Sequence, residues 1–191
     1  MKPEILPLLK SIDSYAQKNH DKCWCVPFDE GQFLHLLVSI AKPKFILEIG
    51  TSIGFSTIWL ASAAAEYGGK VKTIEIHEER AKIAQEHFTQ AKLSNITLLQ
   101  GDAAALLKDM KAPFDFVFLD GGKEHYLEQL QILEKNGCVT KGTIIVADNA
   151  VVKEHKKNDK ILVYLEYVRN SGKFSSSYIP FENGLEVSYR R

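Results

Sequence analysis

Two short stretches, Val117-Phe118-Leu119-Asp120-Gly121-Gly122-Lys123 and Ile144-Ile145-Val146-Ala147-Asp148-Asn149, decide how this sequence is read. Each is a run of β-branched and aromatic residues that stops abruptly on a carboxylate. Apolar runs this short read as buried strands of a parallel sheet, with the acid at the carboxyl end. In open parallel sheets that edge is where ligands bind. Asp120, Asp148 and Asn149 offer hard oxygen donors of the kind that Mg²⁺ or Ca²⁺ prefers. Lys123 follows closely enough to supply a base or a positive charge beside them.

Outward from these runs, apolar strands alternate with amphipathic helices. The patterning predicts strands at 45–49, 71–76, 96–100, 114–119 and 143–147, and helices at 3–19, 29–41, 54–66, 78–92, 102–109 and 124–135. Pro43 ends the second helix. Such alternation implies a mostly parallel sheet with helices on both faces, and right-handed crossovers bring the strands' carboxyl ends to one edge. Those ends read Glu48-Ile49-Gly50, Glu75, Gly101-Asp102, Asp120 and Asp148-Asn149, so each strand ends in or runs straight into an acid. A polar stretch from Lys153 to Lys160 leads into a helix at 159–170. Two strands then follow, 173–179 and 184–190, joined through a turn marked by Asn183-Gly184. The expected fold is a Rossmann-like, doubly wound, seven-stranded sheet closed by a C-terminal antiparallel hairpin. No repeat, low-complexity segment or linker interrupts it, so a single domain over 1–191 is expected.

Composition narrows the class. The 191 residues are 45% hydrophobic and 25% charged, and 24 basic residues balance 24 acidic ones. No bulk field therefore favours a polyanion or an anionic membrane surface. No run approaches the about 18 apolar residues of a membrane span, and the N-terminus does not read as a signal peptide. Cys23, Cys25 and Cys138 lack CxxC spacing, which fits a reduced, cytoplasmic protein. Cys23-Trp24-Cys25 reads as a partly buried loop in preference to a metal or redox pair, and Lys153-Glu154-His155-Lys156-Lys157 as a solvated loop, with steering of an anionic substrate such as a CoA ester or RNA as its alternative.

Between the first strand and its helix lies Glu48-Ile49-Gly50-Thr51-Ser52-Ile53-Gly54-Phe55-Ser56. Its glycines permit a tight turn and close approach of a ligand, and the following helix offers unpaired N–H groups to an anionic end. Glu75, closing the next strand, is placed to accept both hydroxyls of a ribose. The spacing is GxxxG, so a nucleoside cofactor is indicated without the GxGxxG of dinucleotide folds.

The E-x-G-x-x-x-G turn, the later acid and the terminal hairpin resemble S-adenosylmethionine-dependent methyltransferases. More narrowly, the chain resembles the cation-dependent O-methyltransferases of the catechol and caffeoyl-CoA type from Val26 to Arg190. Glu30-Gly31-Gln32-Phe33, Leu47 to Thr51 with Gly54-Phe55-Ser56, Ile74-Glu75-Ile76, Phe116 to Lys123 and Ala147-Asp148-Asn149 carry the likeness. The resemblance implies that Asp120, Asp148 and Asn149 hold a divalent cation such as Mg²⁺ and that Lys123 is the base. It implies that Glu75 binds the ribose, Ser56 meets the methionine carboxylate and Val26 adds a backbone contact. Glu48 and Gly50 belong to the same cofactor turn, Asp102-Ala103 border the adenine, and Asp120 also lies near the methionine moiety. Trp24 is a candidate cover for the methyl donor, together with the helices of residues 1–42.

The implied reaction is methyl transfer to a hydroxyl of a catechol-like or vicinal-diol small molecule. A hydroxylated tRNA base is a less favoured acceptor, and a non-catalytic S-adenosylmethionine-binding protein and a homodimer stay open. Lys123 also fits a first-turn surface lysine, although a cation there opposes the helix dipole. Asp148-Asn149 also fits a simple turn cap. The catechol enzymes carry a late glutamate whose matching position here is near Pro180, so a catechol is not a secure substrate.

Overall fold

A computed structural model of the chain describes residues 2–19, 22–151 and 160–191. The basic stretch Lys153 to Lys157 lies outside the described residues. Seven strands form one mostly parallel mixed sheet with a C-terminal antiparallel hairpin, and helices cover both faces. Although the sequence contains no linker, the chain divides into two compact units, Met1–Asp102 and Ala103–Arg191.

The first unit runs α1 (Ile5–Lys18), α2 (Phe28–Ala41), β1 (Phe45–Ile49), α3 (Phe55–Ala65), β2 (Lys70–Glu75), α4 (Glu78–Gln90) and β3 (Ile96–Gln100). Its strands pair in parallel in the order β3-β2-β1, with Ile49 beside Ile74 and Glu75 beside Gln100. Every residue of α3 from Phe55 to Ala64 is buried. An all-round apolar helix is suited only to such an interior position. α2 closes before Pro43, with Lys42 in the left-handed region and its N–H on the Val38 carbonyl at 2.8 Å. The glycine of the Glu30-Gly31-Gln32-Phe33 motif is a packing glycine, because the Trp59 indole occupies the space a Cβ would need. Phe28 meets Trp59 edge-on with ring centres 5.3 Å apart.

The second unit runs α5 (Ala103–Lys108), β4 (Phe114–Leu119), a 3₁₀ turn (Lys123–His125), α6 (Tyr126–Lys135), β5 (Val139–Ala147), α7 (Ile161–Asn170), β6 (Phe174–Ile179) and β7 (Leu185–Arg190). β4 and β5 are parallel, β7 is antiparallel to β5, and β6 is antiparallel to β7. Most boundaries shift from the sequence reading by no more than one or two residues, and two differences bear on the site. β5 begins at Val139, not at 143, and a register shift between Phe114 and Phe116 absorbs the extra residues. That irregularity is pinned by Thr143, whose Oγ1 donates to the Phe114 carbonyl at 2.9 Å and accepts the Thr140 N–H at 3.1 Å. Residues 123–125 form a separate 3₁₀ turn, so α6 starts only at Tyr126. Glu186 is fully buried on β7 and receives Arg169 of α7 in a bidentate pair, at 2.8 and 2.6 Å.

Candidate active site

Each unit carries its own set of the predicted site residues. In the first unit, β1 delivers Glu48 into the interior, where it has no exposed surface. Ser56 Oγ donates to Glu48 Oε1 at 2.7 Å, and Thr57 and Thr73 both donate to Oε2. A hydroxyl has one proton, so with Thr73 committed to Glu48, Thr51 must be the donor in its 2.5 Å contact with Thr73. Burial pushes the Glu48 carboxyl above its usual range, and the hydroxyls of Thr57, Thr73 and Ser56 partly restore the charged form. Glu48 and Ser56 are thus brought together as a buried brace under the glycine turn. Because the Ser56 hydroxyl proton faces Glu48, the unpaired N–H groups of the first turn of α3 are what can meet a carboxylate.

The turn above this brace is tightly held. Gly50 and Thr51 donate their N–H groups to the Ile74 carbonyl at 3.0 and 3.2 Å. Gly50 and Gly54 have φ of 103° and 88°, conformations that favour glycine. At Gly54 a Cβ would also lie 2.6 Å from Phe88 Cε1, so α4 packs directly against the turn. Glu75 closes β2 and takes the Ser52 N–H at 2.7 Å and the His77 N–H at 2.9 Å, one on each carboxylate oxygen. Its remaining lone pairs are the ones that a diol can meet.

Two residues of this half escaped the sequence reading. Ser52 has φ of 48°, and its Oγ is buried without a hydrogen-bond partner among the described residues. Such an orphaned hydroxyl inside a ligand-shaped turn fits a polar cofactor. Its signal was present, since it lies between Gly50 and Gly54. Ile76, directly after Glu75, is 57% exposed and offers an apolar surface beside the acid, suited to a base. Val26 is buried on the segment before α2, whereas Asp102 is exposed and Ala103 half-buried. Trp24 is 70% exposed with the Arg80 guanidinium 5.2 Å from its ring centre. Cys23 is buried and Cys25 half-buried.

In the second unit, the stretches 117–123 and 144–149 meet. Leu119 and Ala147 are register partners at the ends of β4 and β5, and the Asp148 N–H continues the ladder onto the Leu119 carbonyl at 2.9 Å. Asp120 and Asp148 therefore leave adjacent strand ends side by side. Asp148 is 3% exposed; Asn149, at φ 60°, turns back and donates its N–H at 2.6 Å and its Nδ2 at 2.5 Å to the two Asp148 oxygens. This fixes the Asn149 amide with nitrogen toward Asp148 and leaves Oδ1 as an oxygen donor. Among the described residues no three His, Cys, Asp or Glu side chains gather as a metal cluster. The predicted set has only two carboxylates with one amide, and that chemistry fits a hard cation. Lys123 opens the 3₁₀ turn and is half-buried, off the regular first turn of α6. His125 is exposed and faces Glu128 at 3.8 Å.

The sequence profile of the O-methyltransferase family matches residues 3–183. The chain belongs to this O-methyltransferase family. Among its relatives in the family, catechol O-methyltransferase B of Danio rerio is 31% identical over 187 residues, covering 95% of this chain and 67% of that protein. Catechol O-methyltransferase of Niastella koreensis is 36% identical over 149 residues, covering 75% of this chain and 66% of that one. The chain thus spans about two thirds of the length of these curated relatives. An O-methyltransferase of Bacillus cereus, solved in complex with SAH, superimposes with a TM-score of 0.85 at 28% identity, over 97% of this chain and 91% of that one.

Proposed function

We propose that the chain is an S-adenosylmethionine-dependent, divalent-cation-dependent O-methyltransferase acting on a catechol-like or vicinal-diol small molecule. The observation that carries this reading is the β4–β5 register, which sets Asp120 beside Asp148 and Asn149, with Lys123 on the turn that follows Asp120. Family membership and the likeness to a SAH-bound O-methyltransferase support it.

The chain's own residues have distinct tasks. Ser52, the Gly50 turn and the N-terminus of α3 hold the polar amino-acid end of the donor. Glu75 takes the ribose hydroxyls, Ile76 covers the base, and Asp102-Ala103 border it. Glu48 and Ser56 keep the turn in shape from below. The α1 and α2 helices and the Trp24 segment serve as cover. Asp120, Asp148 and Asn149 would hold the cation, which supplies Lewis acidity that lowers the pKa of a bound hydroxyl. Lys123 would accept the proton from the attacking hydroxyl oxygen, which would bond to the methyl carbon as the carbon–sulfur bond breaks and S-adenosylhomocysteine leaves as the neutral thioether. Orientation and charge placement do the remainder of the catalysis. The cysteine pattern accords with a reducing, cytoplasmic setting.

The test is a labelled-methyl transfer screen against polyphenols and bulk tRNA, with and without Mg²⁺. Transfer to a diol that requires Mg²⁺ and is lost in Asp148→Ala and Lys123→Ala supports the reading. Activity that survives EDTA and both substitutions overturns the mechanism. Salt-sensitive transfer to tRNA would instead name a nucleic-acid acceptor. Donor binding without transfer to any acceptor would indicate a non-catalytic binding protein.

A further inference from the structure

The first unit has a second concave surface, at the amino-terminal ends of β2 and β3 and so away from the strand ends that carry Glu48 and Glu75. It is a cavity of about 570 Å³, within the about 300–1,000 Å³ typical of small-molecule sites. Its walls come from the turn after α3 (Gly68, Gly69), the start of β2 (Lys70), the turn after α4 (Lys92 to Asn95), and Lys2 ahead of α1. Three lysines from three separate segments therefore surround one space, and none of its described lining residues is acidic. In a chain whose charges cancel overall, this is a local concentration of positive charge.

Among the described residues that charge is poorly compensated. Lys92 has Glu4 only at 4.0 Å, with both side chains well exposed, and Lys2 Nζ reaches the Lys92 carbonyl at 3.4 Å. An exposed pair of that length contributes little. Three lysines lining one cavity give it a local field that favours an anion.

The cavity also has a fixed polar wall. Asn95 Nδ2 donates to the Ala61 and Gly69 carbonyls, each at 3.0 Å, so both amide protons are used and the amide plane is set. Asn95 Oδ1 is buried and has no partner among the described residues. A buried carbonyl oxygen without a donor is an exception in native proteins. Here it belongs to a residue lining a cavity that three lysines also line.

We propose that this cavity binds a phosphate ester of mononucleotide size: Lys2, Lys70 and Lys92 take the phosphate, and Asn95 Oδ1 accepts an N–H or O–H from the rest of the molecule. The site is separate from the methyl-transfer machinery, and the proposal does not depend on the function proposed above.

Titrating the full chain with AMP, adenosine and inorganic phosphate, followed through backbone amide resonances, tests it. AMP is expected to move the amides of Gly68, Gly69, Ser94 and Asn95, and adenosine to leave them in place. AMP should bind at least about tenfold more tightly than inorganic phosphate, because only AMP can meet Asn95. Lys70→Ala with Lys92→Ala should weaken AMP at these amides by about tenfold or more, with methyl transfer unchanged. Shifts confined to Gly50–Gly54, equal binding of phosphate and AMP, or AMP binding that survives the double substitution would overturn the proposal. So would a short RNA that binds the same amides more than tenfold tighter than AMP, since the occupant would then be a nucleic acid.

Discussion

The N–H of Asp148 donates to the carbonyl of Leu119 over 2.9 Å, and this one hydrogen bond carries the β4–β5 ladder a step past its last paired residues. It ties the acid of one strand end to the backbone beside the acid of the other. Replacing Asp148 removes a nearly buried carboxylate and the acceptor for both Asn149 donors. Asp148→Ala is expected to weaken Mg²⁺ binding about 100-fold or more, exceeding the roughly 10- to 100-fold typical of residues that only support ligands. Titration calorimetry with Mg²⁺ checks this, with circular dichroism confirming the fold.

Glu75 should act on donor binding. Its carboxylate already holds the N–H groups of Ser52 and His77, so the charge organises the turn as well as any ligand. Hydrogen bonds to a charged group contribute about 1.5–3 kcal/mol each. Glu75→Ala is therefore expected to weaken S-adenosylhomocysteine by about 10- to 100-fold, with Glu75→Gln intermediate. Equilibrium binding of the labelled ligand measures both.

Glu48 predicts a pH dependence of stability. Its folded carboxyl sits above the ordinary glutamate value of about 4.5 because burial penalises the charged form. The native state therefore binds more protons than the unfolded state above that value, and stability falls as pH rises from about 4.5 toward the folded pKa. Glu48→Gln cannot ionise. Urea unfolding across the pH range should show the native chain losing stability relative to Glu48→Gln as pH increases. Parallel curves would contradict this.

Arg169 and Glu186 predict a pure stability effect. Glu186 has no exposed side-chain surface, while Arg169 is 41% exposed. Removing the arginine leaves a buried carboxylate without its counter-ion, a change that costs about 3–5 kcal/mol in buried pairs. Because the arginine is partly solvated, Arg169→Met is expected near about 3 kcal/mol, read from the urea midpoint, and Arg169→Met with Glu186→Gln should recover part of it.

The sequence made the strands legible where an apolar run ended on an acid: 45–49, 96–100 and 114–119 coincide with β1, β3 and β4. It hid the start of β5, because Thr140-Lys141-Gly142 is polar and contains a glycine at φ 98°, as an irregular strand requires. Helix periodicity does not separate a 3₁₀ turn from the first turn of α6, so the setting of Lys123 came only from the backbone. Asp148 and Asn149 were readable as donors, but their mutual hydrogen bonds depend on the left-handed backbone at Asn149. Glu48 looked like a ligand residue at a strand end. Its three hydroxyl donors lie up to 25 residues from it in the chain, beyond the reach of local pattern.

The irregular stretch pinned by Thr143 divides the β4–β5 pair into an elastic part and a gauge. Ahead of Phe116 and Ile144, chain length differs between the strands and is taken up locally. From that pair onward the steps match one for one to Leu119 and Ala147. A length change at 140–142 therefore falls ahead of the matched steps and leaves the pairing of Leu119 with Ala147 in place. A single residue gained or lost after Ile144 would turn Asp148 to the opposite face of the sheet. Length is forgiven on one side of Thr143 and counted residue by residue on the other.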